Sequence, residues 1–265
     1  MSDEKAFIYS YDEDTKAIAY IDILGFSQLT QQKTNEPIKS GGLEIWSMVN
    51  AIYSHKERMR CGRKRDVPVS PHCDGLSFKS QSVWPPEGSV NFILMSDCAV
   101  LYSNSLTHLF ETVSLVFGAA TVYAVPIRAG IAIGAVFHSE LSEGSHIVHI
   151  LYGEAFTRAS CLERSIGGTG MRVWLDPEVE KLGESIGLVH RIIPSTSAIT
   201  PIPAQMKWWL NCFGEEYEKT KTANELERQF SRWFTEQNTK NWFKGDNMED
   251  TKRVFQYAVE DLRSF

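Results

Sequence analysis

The sequence predicts a mixed α/β domain over residues 1–194, followed by a helical extension over residues 195–265. Up to residue 194, strand-like apolar runs alternate with segments of helical spacing, which is typical of mixed α/β folds. After residue 195, aromatic residues recur at broadly helical intervals among many charged residues. A third observation concerns chemistry, because two of the strand-like runs each contain one aspartate, Asp22 and Asp97.

The first predicted strand covers about residues 18–24 and ends at Gly25. Apolar residues then recur at mostly helical spacing over residues 43–59, which predicts a helix. Residues 61–88 contain several prolines and glycines and predict an insertion or long loop.

A hairpin is predicted next, with strands at residues 90–95 and 98–102 and a turn at Ser96-Asp97. An apolar segment over residues 105–124 predicts a helix. Residues 127–134 read as a strand that begins after Pro126.

Three shorter elements complete the predicted domain. They are a helix at residues 153–165, a strand at 171–175 and a short helix opened by Asp176-Pro177-Glu178. In the extension, the aromatic residues are interpreted as packing against the domain or a second subunit rather than as a cofactor site.

The net charge of the chain limits its partners. A formal charge of −6 and a hydrophobic content of 43% describe a chain with enough apolar residues for a sizeable core and no overall basic field. Nucleic acid and anionic membranes are therefore poor first candidates. A phosphate-bearing ligand has to be bound by local cationic groups and metal.

The cysteines and the N-terminus indicate the compartment. Five scattered cysteines without a C-x-x-C spacing argue against both a disulfide framework and a zinc ribbon. The first residues lack a signal-peptide pattern, and no apolar run approaches the roughly 20 residues of a membrane span. We therefore expect a soluble cytoplasmic protein.

Asp22 and Asp97 are the candidate metal ligands. A carboxylate in an apolar run is costly unless a cation or strong hydrogen bonds compensate its charge. Two such carboxylates point to one site for divalent metal. Taken singly, Asp22 could be a cap or turn residue, and Asp97 could be an ordinary hairpin-turn aspartate.

Four strings resemble, in order, motifs of the catalytic domain of class III nucleotide cyclases. Residues 20–27, YIDILGFS, resemble F-x-D-I-x-G-F-T, and Asp97 falls where the hairpin G-D lies. Residues 127–134 resemble R-x-G-I-x-x-G, and residues 151–160 resemble the W-G-x-x-V-N-x-A-S segment that opens the helix on the dimerisation side. The resemblance covers roughly residues 15–185 and implies a ferredoxin-like α+β sandwich core.

The resemblance implies cyclisation of a nucleoside triphosphate with two Mg²⁺ or Mn²⁺ ions per active site. Asp22 and Asp97 would bind the metals through their carboxylates, and Ile23 through its carbonyl. The phosphates would be held by backbone N–H groups of Gly25, Phe26 and Ser27.

Arg128 matches the family arginine that pairs with phosphate oxygens, and the alternative is an exposed arginine at a strand end. On the helix, the family's catalytic asparagine and arginine align with Thr157 and Cys161, which carry no charge to stabilise the transition state. Arg158 or Arg164 could supply that charge, or could be ordinary surface residues.

The positions that select a purine are apolar. Family members read the purine with polar residues at the positions of Ile93 and Ile150. An aliphatic side chain cannot bond to the polar edge of a purine, so the usual adenine or guanine contacts are absent. Tyr53 or Trp46 could line a smaller base pocket, although their helical spacing favours core packing.

These departures resemble the pyrimidine cyclases of bacterial Pycsar-type anti-phage defence. That branch implies a homodimer that converts UTP to 3′,5′-cyclic UMP, which a separate effector then detects. A CTP cyclase making cyclic CMP is the alternative within enzymes. A degenerate cyclase fold that binds a nucleotide or a partner without turnover is the alternative outside them.

Overall fold

In the computed structural model, the described residues are 14–23, 89–95, 98–122, 127–143, 146–164, 172–188, 192–194 and 208–210, with isolated residues between 223 and 263. The strands are β1 (Asp14–Ile23), β2 (Asn91–Met95), β3 (Cys98–Ser103), β4 (Ile127–Glu143), β5 (His146–Tyr152), β6 (Val173–Leu175), β7 (Ile192–Pro194) and β8 (Trp208–Leu210). The helices are α1 (Leu106–Val122), α2 (Glu154–Arg164) and α3 (Pro177–Ser185).

The strands form one sheet in the order β2-β3-β1-β4-β6-β8-β7, and β5 pairs with β4 beside this path. All pairs are antiparallel except β4 with β6, which are parallel. A largely antiparallel sheet that carries helices is a mixed α/β arrangement. The fold class predicted from the sequence is thus confirmed.

Strand β1 lies between β3 and β4, near the middle of the sheet. Ile18, Ala19 and Ile21 are fully buried, although neighbouring residues of a strand point to opposite faces. Both faces of β1 are therefore covered. This explains why its sequence is a nearly continuous apolar run rather than an alternating one.

Helix α2 packs closely on one face of β4 and β1. Its residues Ala155 and Ala159 join a core cluster with side chains of the sheet. The other members of the cluster are Ile18, Tyr20, Cys98, Val100, Tyr102, Ala132 and Val136. Small residues on the helix and a glycine on the strand, Gly130, allow this close approach.

The predicted hairpin, the helix after it and the short helix at residue 177 are confirmed. Asp176 accepts a hydrogen bond from the backbone N–H of Glu178 at 3.0 Å and so caps α3, with Pro177 at its first turn. Strand β4 is longer than predicted, because its second half pairs with β5. The sequence pattern of residues 135–143 alone does not predict that pairing.

One strand lies in the segment predicted to be helical. Trp208–Leu210 pairs with β6 and β7, and Trp209 lies opposite Trp174. The described residues between 223 and 263 are helical, as predicted. The division of the chain at residue 194 stays a prediction, although β8 joins the following segment to the sheet.

The helix predicted at residues 43–59 and the insertion at 61–88 lie outside the described residues. Of the helices that the structure does describe, none combines the length and apolar character needed to cross a membrane.

Candidate functional site

Asp22 lies at the end of β1, directly between Cys98 of β3 and Arg128 of β4. Directly opposite residues of antiparallel strands project from the same face, so these three side chains form one row across the sheet. The row lies on the face covered by α2, because Tyr20, two residues before Asp22, packs with Ala159 of that helix. The side chain of Asp22 is 21% exposed and remains open to a ligand.

Arg128 connects two carboxylates. Its Nη2 lies 3.4 Å from Oδ2 of Asp22, and its Nε donates a hydrogen bond to Oε1 of Glu163 on α2. The carboxylate of Glu163 is only 2% exposed, whereas Arg128 is 18% exposed. Arg128 is thus fixed on one side by a buried acid and turned on the other side toward Asp22.

Glu163 is a residue that the sequence reasoning missed. A glutamate next to an arginine near the end of a helix is normally predicted to be exposed to solvent. Its spacing carries a signal, however, because Ala155, Ala159 and Leu162 are buried at helical intervals and Glu163 continues that stripe. A charge on the apolar face of a helix predicts a buried partner.

Tyr20 and Arg164 lie at the same end of the site. Burial raises the pKa of the Tyr20 phenol to about 12, and a hydrogen bond with Cys98 contributes to the rise. The phenol therefore stays protonated at neutral pH and cannot act as a base there. A hydrogen bond with Tyr20 raises the pKa of Arg164, whose charge also interacts with Asp22.

Arg158 lies toward the other end of α2. Its Nη2 donates to the carbonyl of Ile133, five residues farther along β4 than Arg128, and lies 2.9 Å from Glu178. Asp176 and Glu154 lie at 3.6 and 3.7 Å from the same guanidinium. Arg158 thereby ties α2 to β4 and to the start of α3.

The hydrogen bond from Arg158 raises its own pKa and lowers that of Glu178. A depressed carboxyl pKa favours the folded state above the pKa of the unfolded chain, and this contribution is lost as the pH falls through the folded value. Glu178 is 59% exposed, so solvent screening keeps the contribution small.

Thr157 and Cys161 lie one helical turn apart and are both exposed on α2. The hydroxyl of Thr157 donates to the carbonyl of Gly153 at 3.1 Å, which is a bond within the helix terminus. Neither side chain lies on the buried face of α2.

The candidate base-pocket residues have different environments. Ile93 is half-buried, packs against the core cluster and lies opposite Val100, in the row next to that of Asp22. Ile150 is 39% exposed on β5. Several other predicted site residues lie outside the described residues, namely Asp97, Gly25, Phe26, Ser27 and Tyr53.

Asp22 fits a role as a ligand of Mg²⁺ or Mn²⁺, since its carboxylate is accessible and hard cations prefer oxygen ligands. Its strand partner Cys98 directly follows Asp97 in the sequence. Within the described part of the chain, no group of three or more His, Cys, Asp or Glu side chains could hold a metal. The second carboxylate of the predicted pair lies beyond that part.

Comparisons with known proteins found distant structural similarity. No family model matches the chain, and no curated protein matches it. The guanylyl cyclase Cya2 is similar over 78% of this chain and 97% of its own, with 12% identity and a TM-score of 0.49. The adenylyl cyclase CyaB from P. aeruginosa is similar over 79% of this chain and 98% of its own, with 12% identity and a TM-score of 0.49.

A third similar structure is the dimeric guanylyl cyclase domain of the RhoGC fusion protein from the aquatic fungus Blastocladiella emersonii. It covers 76% of this chain and 97% of its own, with 11% identity and a TM-score of 0.49. These values are too low to transfer an activity or a substrate to this chain.

Proposed function

We propose that this protein is a nucleotide cyclase that converts UTP to 3′,5′-cyclic UMP and pyrophosphate. The observation that carries the proposal is the pairing of Asp22 with Arg128 at the ends of two central strands, next to the strand that follows Asp97. A carboxylate for metal beside a cation for phosphate is the combination that cyclisation needs. The ordered resemblance of the four motifs supports the same activity.

Asp22 and Asp97, with the carbonyl of Ile23, would hold two Mg²⁺ or Mn²⁺ ions. When bound, the cations supply charge neutralisation at the phosphates and help to deprotonate the 3′-hydroxyl. Residues Gly25, Phe26 and Ser27 would bind the terminal phosphates through backbone N–H groups. Arg128 would pair with a phosphate oxygen through its terminal nitrogens.

The reaction forms one bond and breaks one. The 3′-oxygen attacks the α-phosphorus, the bond from that phosphorus to the β-phosphate oxygen breaks, and pyrophosphate leaves with the electron pair. The hydroxyl proton passes to solvent. The protein's task is to hold the two ends of the nucleotide in position and to stabilise charge on the leaving group.

Arg164 is a better candidate than Arg158 for a further cation in the same chain. Arg158 already contacts three carboxylates and a carbonyl, and it lies against Ile133, five residues farther along β4 than Arg128. Arg164 is 70% exposed, and its charge interacts with that of Asp22. Its side chain is mostly solvated, so moving toward phosphate would give up only the hydrogen bond with Tyr20.

The choice of a pyrimidine is supported by the apolar side chains at Ile93 and Ile150. A purine edge facing them would leave polar groups unpaired, which costs about 1–3 kcal/mol, or roughly one to two decades in rate. A pyrimidine has one ring fewer and can be selected by a smaller pocket with backbone groups reading its edge. We extend this to a role in anti-phage defence, in which a separate effector detects the cyclic product.

We expect UTP to be the preferred substrate and CTP the closest competitor. The purified chain is incubated with each of the four ribonucleoside triphosphates and Mn²⁺, and cyclic products are identified by mass. Preference for CTP would make the protein a cytidylate cyclase. Preference for ATP or GTP would contradict the pyrimidine assignment. Nucleotide binding without any cyclic product would favour the degenerate, non-enzymatic alternative that Thr157 and Cys161 suggest.

We also expect a homodimer in which α2 of each chain faces the site of the other. The exposure of Thr157 and Cys161 in the single chain supports this arrangement. Light scattering should give twice the mass of the chain. A thiol reagent should modify Cys161 slowly in the dimer and faster after dilution, while Cys98, which is buried within the chain, serves as the control. A monomer fully active at nanomolar concentration would contradict the shared site.

A further inference from the structure

The environment of Arg128 depends on a second residue that no motif of the sequence indicates. Glu163 projects from α2 onto the end of β4, and its carboxylate is 2% exposed. A buried carboxylate without a partner costs several kcal/mol, or it takes up a proton. Arg128 supplies the partner through its Nε.

The contact uses one edge of the Arg128 guanidinium and leaves terminal nitrogens for other acceptors. Nη2 lies 3.4 Å from Asp22, which is longer than a typical charge-assisted hydrogen bond. The carboxylate of Asp22 is 21% exposed and that of Glu163 is 2% exposed, so the contact with Asp22 is the less buried of the two. Arg128 therefore makes two distinct contacts, a buried one with Glu163 and a more exposed one with Asp22.

The anchor also limits the motion of a flexible side chain. An arginine carries about 2 kcal/mol of rotamer entropy, which is lost when the side chain is fixed by a ligand. An arginine that is already held by a buried acid loses less on binding, and its orientation is set in advance. Arg164 contributes little to this anchor, because its Nε is 4.0 Å from Glu163 and its side chain is 70% exposed.

We infer that Glu163 is a positioning residue that orients Arg128 toward the phosphates of the nucleotide. The inference rests on the proposed function, since it gives Arg128 a phosphate ligand. Glu163 itself touches no substrate and acts only through Arg128.

Two substitutions separate position from charge. Glu163→Asp keeps the charge but shortens the side chain by one methylene, which withdraws the acceptor from Nε of Arg128. Glu163→Gln keeps the length and an oxygen that can accept from Nε, but it removes the charge. If Glu163 positions Arg128, Glu163→Asp has the larger effect.

The test measures binding of inorganic triphosphate with Mg²⁺ to the full chain by calorimetry, so it does not depend on turnover. We expect Glu163→Asp to weaken binding by about tenfold and Glu163→Gln by less, and we expect neither to add to the effect of Arg128→Ala. Thermal unfolding identifies variants that remain folded. If Glu163→Asp does not fold, the energetic coupling between Glu163 and Arg128 is still measured by comparing Glu163→Gln in the wild-type chain and in the Arg128→Ala variant.

Three results would overturn the inference. These are wild-type affinity in folded Glu163→Asp, an equal loss that persists in the Arg128→Ala background, and no triphosphate binding by the wild-type chain. Failure of the cyclase proposal looks different. In that case no cyclic product forms from any nucleotide, while triphosphate binding still depends on Glu163 through Arg128.

Discussion

Asp22→Asn is expected to reduce cyclic nucleotide formation by at least about 100-fold, because it removes the charge of a metal ligand without removing volume. The fold should survive the change. Asp22 is 21% exposed, and Arg128 keeps its contact with buried Glu163 when the charge of Asp22 is lost. Product formation with Mn²⁺ is measured by mass spectrometry, and thermal unfolding checks the fold.

The matched control is Asp14→Asn, the same chemical change at the opposite end of β1. It should leave activity near the wild-type level. Asp97→Asn should behave as Asp22→Asn does, since the proposal assigns both to the same metals. Substantial activity in folded Asp22→Asn would move the metal site elsewhere in the protein.

The elements that were correctly predicted from the sequence are those that local patterns define. The apolar run of β1 and the hairpin strands β2 and β3 carry their own length and turn signals. The N-terminal cap of α3 could also be predicted, because an aspartate before Pro177 accepts hydrogen bonds from the backbone N–H groups of the first helical turn. Each of these signals is contained in one short stretch of consecutive residues.

One element that depends on distant pairing was missed. Trp208–Leu210 looks helical because aromatic residues recur at helical intervals around it, but it forms a strand against Trp174. Tertiary contacts decided its conformation.

The site shows the same division between local and distant signals. The motif residues Asp22 and Arg128 were identified in the sequence, and the structure brings them to within 3.4 Å. Their connection to Glu163 was not predicted, because the acid lies 35 residues after the arginine and the two meet only when α2 packs on β4. What the sequence did contain was a charge placed on an otherwise apolar helix stripe.

That packing depends on Gly130, and Gly130→Ala should be strongly destabilising. A Cβ at this position would overlap the carbonyl oxygen of Ala159 and lie 2.7 Å from Cβ of Leu162. The neighbours are helix backbone and a β-carbon, which cannot rotate away, so α2 has to move off the sheet. We expect a loss of about 3 kcal/mol in the free energy of unfolding, measured by urea denaturation.

Gly134→Ala is the matched control on the same strand. Its added Cβ would lie 3.1 Å from Nη2 of Arg158, the far end of a flexible side chain, and at least 3.5 Å from the backbone of α2. The side chain can yield, so a loss below about 1 kcal/mol is expected. Equal stability of the two variants would show that α2 does not pack closely against Gly130. The Gly130 substitution also affects the site, because the backbone N of Glu163 lies 3.0 Å from the Cβ added at position 130. A displaced α2 would withdraw Glu163 from Arg128.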